Sequence, residues 1–158
     1  MITIGIDPGL SGAIGLLNNG KYVGVHDMPV VAKGGGSVKS EVDAAGLIKL
    51  LLEACSEENS ASVALERVNA MPGQGVSSVF SLGDSFGCAR SSVAAARLEL
   101  VYVTPTKWKS HFKLPSDKEM CRAAAIRMFP EAPLNLKKHS DRAEALLMAR
   151  WLYDQHGG

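Results

Sequence analysis

The sequence predicts an α/β fold, a five-stranded mixed sheet flanked by helices, built as one domain over residues 1–158. Three observations predict it. The chain opens with three short apolar runs separated by turn signals, its middle alternates helix-like and strand-like periodicity, and the part after Thr104-Pro105 reads as two helices. Strands joined by short turns pair antiparallel, whereas strands separated by helices pair parallel, so this order gives a mixed sheet covered on both faces.

Ile2–Ile6 is the first strand, predominantly apolar, and it ends on Asp7 before turning through Pro8-Gly9. Gly12–Leu17 is the second and Tyr22–His26 the third, joined by the hairpin signal Asn18-Asn19-Gly20. A loop with Gly34-Gly35-Gly36 follows. Val42–Ala54 then carries Ala45, Leu47, Ile48, Leu51 and Leu52 at helical spacing. After a polar loop, Ser62–Leu65 reads as a buried strand that delivers Glu66 at its carboxyl end. Gly75–Ala96 is a long helix rich in small residues, Leu98–Val103 the fifth strand, and Thr104-Pro105 its stop. Ser116-Asp117-Lys118-Glu119 has the pattern of a capping box, opening a helix to about Phe129. The last helix runs from near Ser140 to about Asp154.

A chain of 158 residues, 46% hydrophobic, can bury one core but not two full lobes. It has no basic, apolar leader at Met1 and no run of 18 apolar residues, so a cytoplasmic, soluble protein without a membrane partner is expected. Cys55, Cys88 and Cys121 are widely spaced, with no C-x-x-C or Cys/His pairing suited to zinc, and are expected to be buried free thiols. Net charge is only +1, but residues 1–60 hold 4 Lys and Arg against 7 Asp and Glu, while residues 61–158 hold 13 against 9. Lys107, Lys109, Lys113, Lys118, Arg122, Arg127, Lys137, Lys138 and Arg142 fall close together in sequence. They form either a positive face suited to phosphates or an ordinary solvated helix surface.

Asp7 is the residue that needs a reason. An ionised group at the end of an apolar strand is tolerated when paired or bound to a cation, and Gly9, Gly12 and Gly15 leave room for close approach of a backbone or ligand. Asp7-Pro8-Gly9 also reads as a plain turn. Glu66 stands in a matching context, at the end of a strand that can lie beside the first. Asp141 and Glu144 lie three apart, on one face of the final helix. Ala145 to Leu152 is almost wholly apolar, so this helix enters the core and cannot hold two bare charges cheaply. A shared cation would neutralise them.

These residues resemble the RuvC family of Holliday junction resolvases, within the RNase H-like superfamily. The resemblance rests on Ile4-Gly-Ile-Asp-Pro-Gly9 with Gly12, Ala64-Leu-Glu-Arg67, Val103-Thr-Pro105 followed by Lys107, Lys118-Glu119, and Asp141-Arg-Ala-Glu-Ala-Leu-Leu-Met-Ala149. It spans essentially the whole chain and is closest to the shorter phage-type or prophage-type proteins. It implies an RNase H-like fold in which Asp7, Glu66, Asp141 and Glu144 bind two Mg²⁺ ions, with Mn²⁺ able to substitute and no small-molecule cofactor. The implied reaction is paired hydrolysis of phosphodiester bonds in four-way junctions or related branched DNA, leaving 5′-phosphate and 3′-hydroxyl ends. Lys107 and Lys118 match basic positions the family uses near the scissile phosphate, which makes Lys107 a catalytic candidate as well. Charge clustering adds Lys109, Lys113, Arg122 and Lys138 as DNA contacts.

The sequence departs from the family in three places. Glu144 stands where many relatives have Asp, one methylene shorter. His139 lies two residues before Asp141, off the acidic face if helical, which favours capping or DNA contact over ligation. The segment from Val68 to Gly75 lacks the aromatic that junction-specific relatives can stack on a base, leaving Met71 or Gln74 in its place. Alternative readings are a YqgF-like nuclease acting on RNA and a non-catalytic branched-DNA-binding module. An actin-like kinase shares the phosphate turn but needs two lobes. A four-way junction presents two equivalent strands, so a homodimer is expected. Its interface is expected on the Gly75–Ala96 helix, which carries Val76, Val79, Phe80, Leu82, Phe86, Val93 and Ala94, unless that helix is simply buried within its own domain.

Overall fold

The computed structural model describes residues 1–34, 40–55 and 61–158. Its elements in order are β1 (Ile2–Asp7), β2 (Ala13–Asn18), β3 (Lys21–Asp27), β4 (Val30–Ala32), β5 (Ser40–Val42), α1 (Ala44–Ala54), β6 (Ala61–Glu66), α2 (Val76–Ala95), β7 (Glu99–Val103), α3 (Pro105–His111), α4 (Lys118–Met128), a 3-10 turn (Lys137–His139) and α5 (Ser140–Gln155). Five strands form one sheet in the order β3-β2-β1-β6-β7. The β1–β2 and β2–β3 pairs are antiparallel, and β1–β6 and β6–β7 are parallel. The expected five-stranded mixed sheet is therefore present, with the short hairpin linking β2 and β3 across Asn19 and Gly20, both at positive φ.

Helices cover both faces. Ile2, Ile4, Ile6, Ile14, Leu16, Val63 and Leu65 pack with Leu47 and Leu51 of α1 and Ala89 and Val93 of α2. On the opposite face Leu17, Ala64 and Val103 pack with Trp108 of α3, Cys121 and Ala125 of α4, and the apolar run of α5. The α5 segment Ala145–Ala149 and the following Trp151 and Leu152 are buried.

Several local expectations change. Helix α1 begins at Ala44, where the Asp43 side chain caps it by accepting from the amide of Gly46, and Val42 belongs to β5 instead. The paired strands β4 and β5 are too short to show any periodicity. Of the glycine triplet, Gly35 and Gly36 lie outside the described residues, as does most of the polar loop before β6. Thr104-Pro105 ends β7 as expected and also starts α3: Thr104 is its N-cap and Pro105 fills its first position. At α4 the capping residue is Asp117, which accepts from the amide of Met120, so Ser116 and Glu119 form no capping box. Cys121 is buried, while Cys55 and Cys88 are only partly so; all three are free thiols. Among the described residues no helix is long and apolar enough to cross a membrane.

How closely α5 sits on the sheet is set by two glycines that face each other across β1 and β2, Gly5 and Gly15. A methyl group at Gly5 would overlap the carbonyl oxygen of Ala145 and lie 2.6 Å from the amide nitrogen of Ala149. One at Gly15 would lie 2.7 Å from the amide nitrogen of Leu146. Both clashes are with helix backbone, which cannot rotate away. At the helix's N-terminal end Arg142 binds Asp27 of β3 through two bonds of 2.6 and 2.7 Å, which ties this end to the sheet's far edge.

Gly5→Ala is therefore expected to destabilise the protein by about 3 kcal/mol or more through overpacking, read as a fall of roughly 10 °C in Tm by calorimetry. Gly83→Ala, at a position where a methyl group meets nothing within 4 Å, is the control and should leave Tm unchanged or slightly raised.

Candidate metal centre

The alternation of side chains along a strand decides where the strand acids face. On β1, Ile2, Ile4 and Ile6 enter the core beneath α1 and α2, so Thr3, Gly5 and Asp7 face α5. On β6, Val63 and Leu65 enter the same core, so Ala64 and Glu66 face the other way. The parallel register pairs Ile6 with Leu65, which sets Asp7 and Glu66 side by side at the carboxyl ends of neighbouring strands. Asp141 lies in the first turn of α5 and Glu144 one turn on. Seating α5 on Gly5 and Gly15 brings these acids over the end of β1.

Asp7, Asp141 and Glu144 each offer a carboxylate oxygen within 4.8 Å of the others. Glu66 stands beside this group, its Oε1 accepting a 2.9 Å hydrogen bond from Trp108 Nε1. Two lysines face the acids. Lys118 Nζ donates to Asp141 Oδ1 at 2.6 Å, and Lys109 Nζ lies 3.0 Å from Glu144 Oε1 and 5.0 Å from the centre of the Trp108 ring. The Lys109 ammonium compensates the charge on the buried Glu144 Oε1.

Crowded carboxylates resist ionisation. Asp7 is pushed well above the usual carboxylate range, first by burial and then by the charges of Glu66, Asp141 and Glu144, with Lys118 opposing. Glu66 is raised by burial and by Glu144, against the pull of the Trp108 hydrogen bond and of Lys109 and Lys118. Burial disfavours the Lys118 ammonium, but its bond to Asp141 and the surrounding acids outweigh that and raise its pKa. Four carboxylates against two ammonium groups leave a formal surplus of two negative charges. An all-oxygen donor set, a net negative charge and three carboxylates within 4.8 Å of one another together fit a hard divalent cation such as Mg²⁺ or Mn²⁺. Asp7, Asp141 and Glu144 would hold it, with Glu66 adjoining.

The remaining sequence candidates are dispersed. Lys107 sets its ammonium 5.3 Å over the Trp151 ring, and Lys109, two residues on, is the lysine of α3 that reaches an acid. Arg122 is engaged with Glu119 and with the carbonyl of Leu134, so it fastens α4 to the loop that follows. Lys113 is exposed just beyond α3 at positive φ. Lys138 is exposed on the 3-10 turn and lines a cleft of about 330 Å³ with Ser11, Asp27, His139 and Arg142. His139 is buried and stands apart from the three clustered acids; its Nδ1 accepts from the amide of Leu136, which caps the turn. Sequence reasoning gave Trp108 no role. The signal was available in Thr104-Pro105, since a helix beginning there places residues 108 and 109 in its first turns.

No family model matches the chain, and no curated protein matches it in sequence. Its fold is similar to that of Thermus thermophilus RuvC, at 18% identity and a TM-score of 0.56, over 99% of this chain and 97% of that one. The structure of T. thermophilus RuvC in complex with a Holliday junction substrate matches at 19% identity, with the same TM-score and coverage. At this level of identity the likeness establishes the fold, a RuvC-type, RNase H-like sheet and helix arrangement.

An acid whose pKa is raised on folding holds its proton more tightly in the folded than in the unfolded chain. The stability it contributes is full below its unfolded pKa and is lost as pH rises through the folded one. In chelator, Asp7→Asn is therefore expected to flatten the loss of Tm between about pH 4 and neutrality and to leave the variant more stable than wild type at pH 7. Thermal melts of both proteins across that range check this. An equal decline in the two would show that Asp7 is not the strained acid.

Proposed function

We propose that this chain is a RuvC-like, metal-dependent endonuclease that hydrolyses phosphodiester bonds in branched DNA, four-way junctions foremost. The observation that carries the reading is the convergence of Asp7, Asp141 and Glu144 within 4.8 Å on a RuvC-type fold, with Glu66 beside them. The Thermus relative has been solved with a Holliday junction, which favours branched DNA as the substrate class.

Two divalent cations held by the four acids would supply an activated water and charge stabilisation for an in-line displacement at phosphorus. The protein's own groups do the rest. Asp7, at the end of a strand buried on both sides, is the fixed point of the site, and Asp141 and Glu144 are held against it by the seating of α5. Each lysine ammonium has three donors. Lys118 spends one on Asp141 and remains largely exposed, so it has donors to offer a phosphate oxygen. Lys109 is mostly buried between Glu144 and the Trp108 ring and acts on the acids more than on the substrate. Lys107, Lys113 and Lys138 are exposed and lie outside the acidic group, where they would contact the DNA backbone.

Paired incision requires two active sites, hence a homodimer. Helix α2 supports this at its N-terminal half. Ser85, Ala89, Ser92 and Val93 are buried in the chain's own core, but Phe80 is 69% and Val76 86% exposed, with Met71 exposed just upstream.

Purified protein with Mg²⁺ should incise a four-way junction in preference to a Y-fork, linear duplex or structured RNA. Asp7→Asn or Glu66→Gln should lower cleavage by at least about a hundredfold while junction binding persists, because removing negative charge does not weaken attraction to phosphates. Full cleavage by either variant would sink the assignment, and a preference for RNA would move the protein to the YqgF-like class.

In light scattering at micromolar concentration, wild type should show twice the 16.7 kDa chain mass and Phe80→Asp the mass of one chain. A monomeric wild type that still makes paired cuts would remove the dimer.

A further inference from the structure

We propose that Trp108 is a positioning residue for Glu66: its indole N–H fixes one carboxylate oxygen so that the other is presented to the metal centre. This rests on the nuclease reading above and adds a residue to it.

Unlike Asp141 and Glu144, Glu66 has no ammonium group paired with it among the described residues. Its Oε1 is taken by Trp108 Nε1 at 2.9 Å, and Oε2 makes no hydrogen bond among the described residues. A glutamate has three rotatable bonds, and the negative charges of Asp7 and Glu144 drive it away from the cluster. The indole opposes that drift. Trp108 is wholly buried in the core beneath α5 and cannot follow the carboxylate if it turns outward. A buried indole N–H left without an acceptor is costly, so the two groups hold each other. The same ring lies 5.0 Å from Lys109 Nζ, the ammonium set against Glu144. One side chain therefore touches the partner of one acid and binds a second acid directly. Groups that orient a metal ligand typically cost about 10–100-fold in metal affinity when lost.

The test is Trp108→Phe, which keeps most of the buried ring and removes the N–H, with Mn²⁺ affinity measured by electron paramagnetic resonance of the free ion. Wild type should bind Mn²⁺, and Trp108→Phe should bind it at least about tenfold more weakly. Tm in chelator should fall by much less than a cavity mutant would lose. Glu66→Gln combined with Trp108→Phe should be no weaker than Glu66→Gln alone, since the indole acts through that carboxylate. Equal Mn²⁺ affinity in wild type and Trp108→Phe overturns the proposal while leaving the nuclease reading in place. A wild type that binds no Mn²⁺ overturns both. Should Trp108→Phe fail to fold, the indole N–H resonance of Trp108 in ¹⁵N-labelled wild type decides. It should shift on titration with Mg²⁺, and Glu66→Gln should suppress that shift. A resonance that ignores Mg²⁺ overturns the proposal.

Discussion

Everything at the candidate metal centre depends on backbone meeting backbone where α5 crosses β1 and β2. Side chains normally keep a helix about 10 Å from a sheet. Here Gly5 and Gly15, paired across two strands, remove the side chains at the crossing, and Ala145 and Ala149 present small ones from the helix. The first turn of α5 consequently falls over the end of β1. Asp141 and Glu144 reach Asp7 because of that proximity, not because of any attraction among them. The glycines set the spacing, the apolar residues Ala145–Ala149 supply the burial that holds it, and the Arg142–Asp27 pair fixes the end that carries the acids.

The acids themselves oppose the arrangement. Two like charges about 5 Å apart repel by roughly 3 kcal/mol at an effective dielectric near 20. Lys109 and Lys118 answer part of this, which explains why both ammonium groups lie against carboxylates. The two differ in exposure: Lys109 is mostly buried against Glu144, whereas Lys118 remains largely open to solvent. Protonation of Asp7 or Glu66 is the other release, and the raised pKa of each records it.

The strand acids were legible in the sequence because they break a strong pattern. Asp7 ends a largely apolar run and Glu66 ends another, and two-residue alternation then fixes the face on which both side chains lie. Asp141 and Glu144 were legible from helical spacing within an otherwise apolar helix. Gly5 was less so, since a glycine inside a strand has no partner until the register pairs it with Gly15. Lys107 and Lys109 could not be separated by charge alone. They stand two apart on a helix, about 200° around its axis, and only the direction of α3 decides that one lies over Trp151 and the other against Glu144. The three-residue strands β4 and β5 are shorter than the window over which periodicity has meaning.

Helix α3 was hidden for the same reason, and it explains how acids from distant parts of the chain keep their spacing. Its seven residues form two turns, started by the Thr104 cap and Pro105. Successive residues on it point about 100° apart, so Lys107, Trp108 and Lys109 address three different directions. Lys107 lies over Trp151 near the far end of α5, Trp108 binds Glu66 of β6, and Lys109 faces Glu144 near the start of α5. A short helix that touches α5 at two points and β6 at a third fixes the helix against the strand. The separation between the strand acids and the helix acids is then built into the fold itself. Preorganisation of this kind lowers the cost of assembling ligands at the moment of binding.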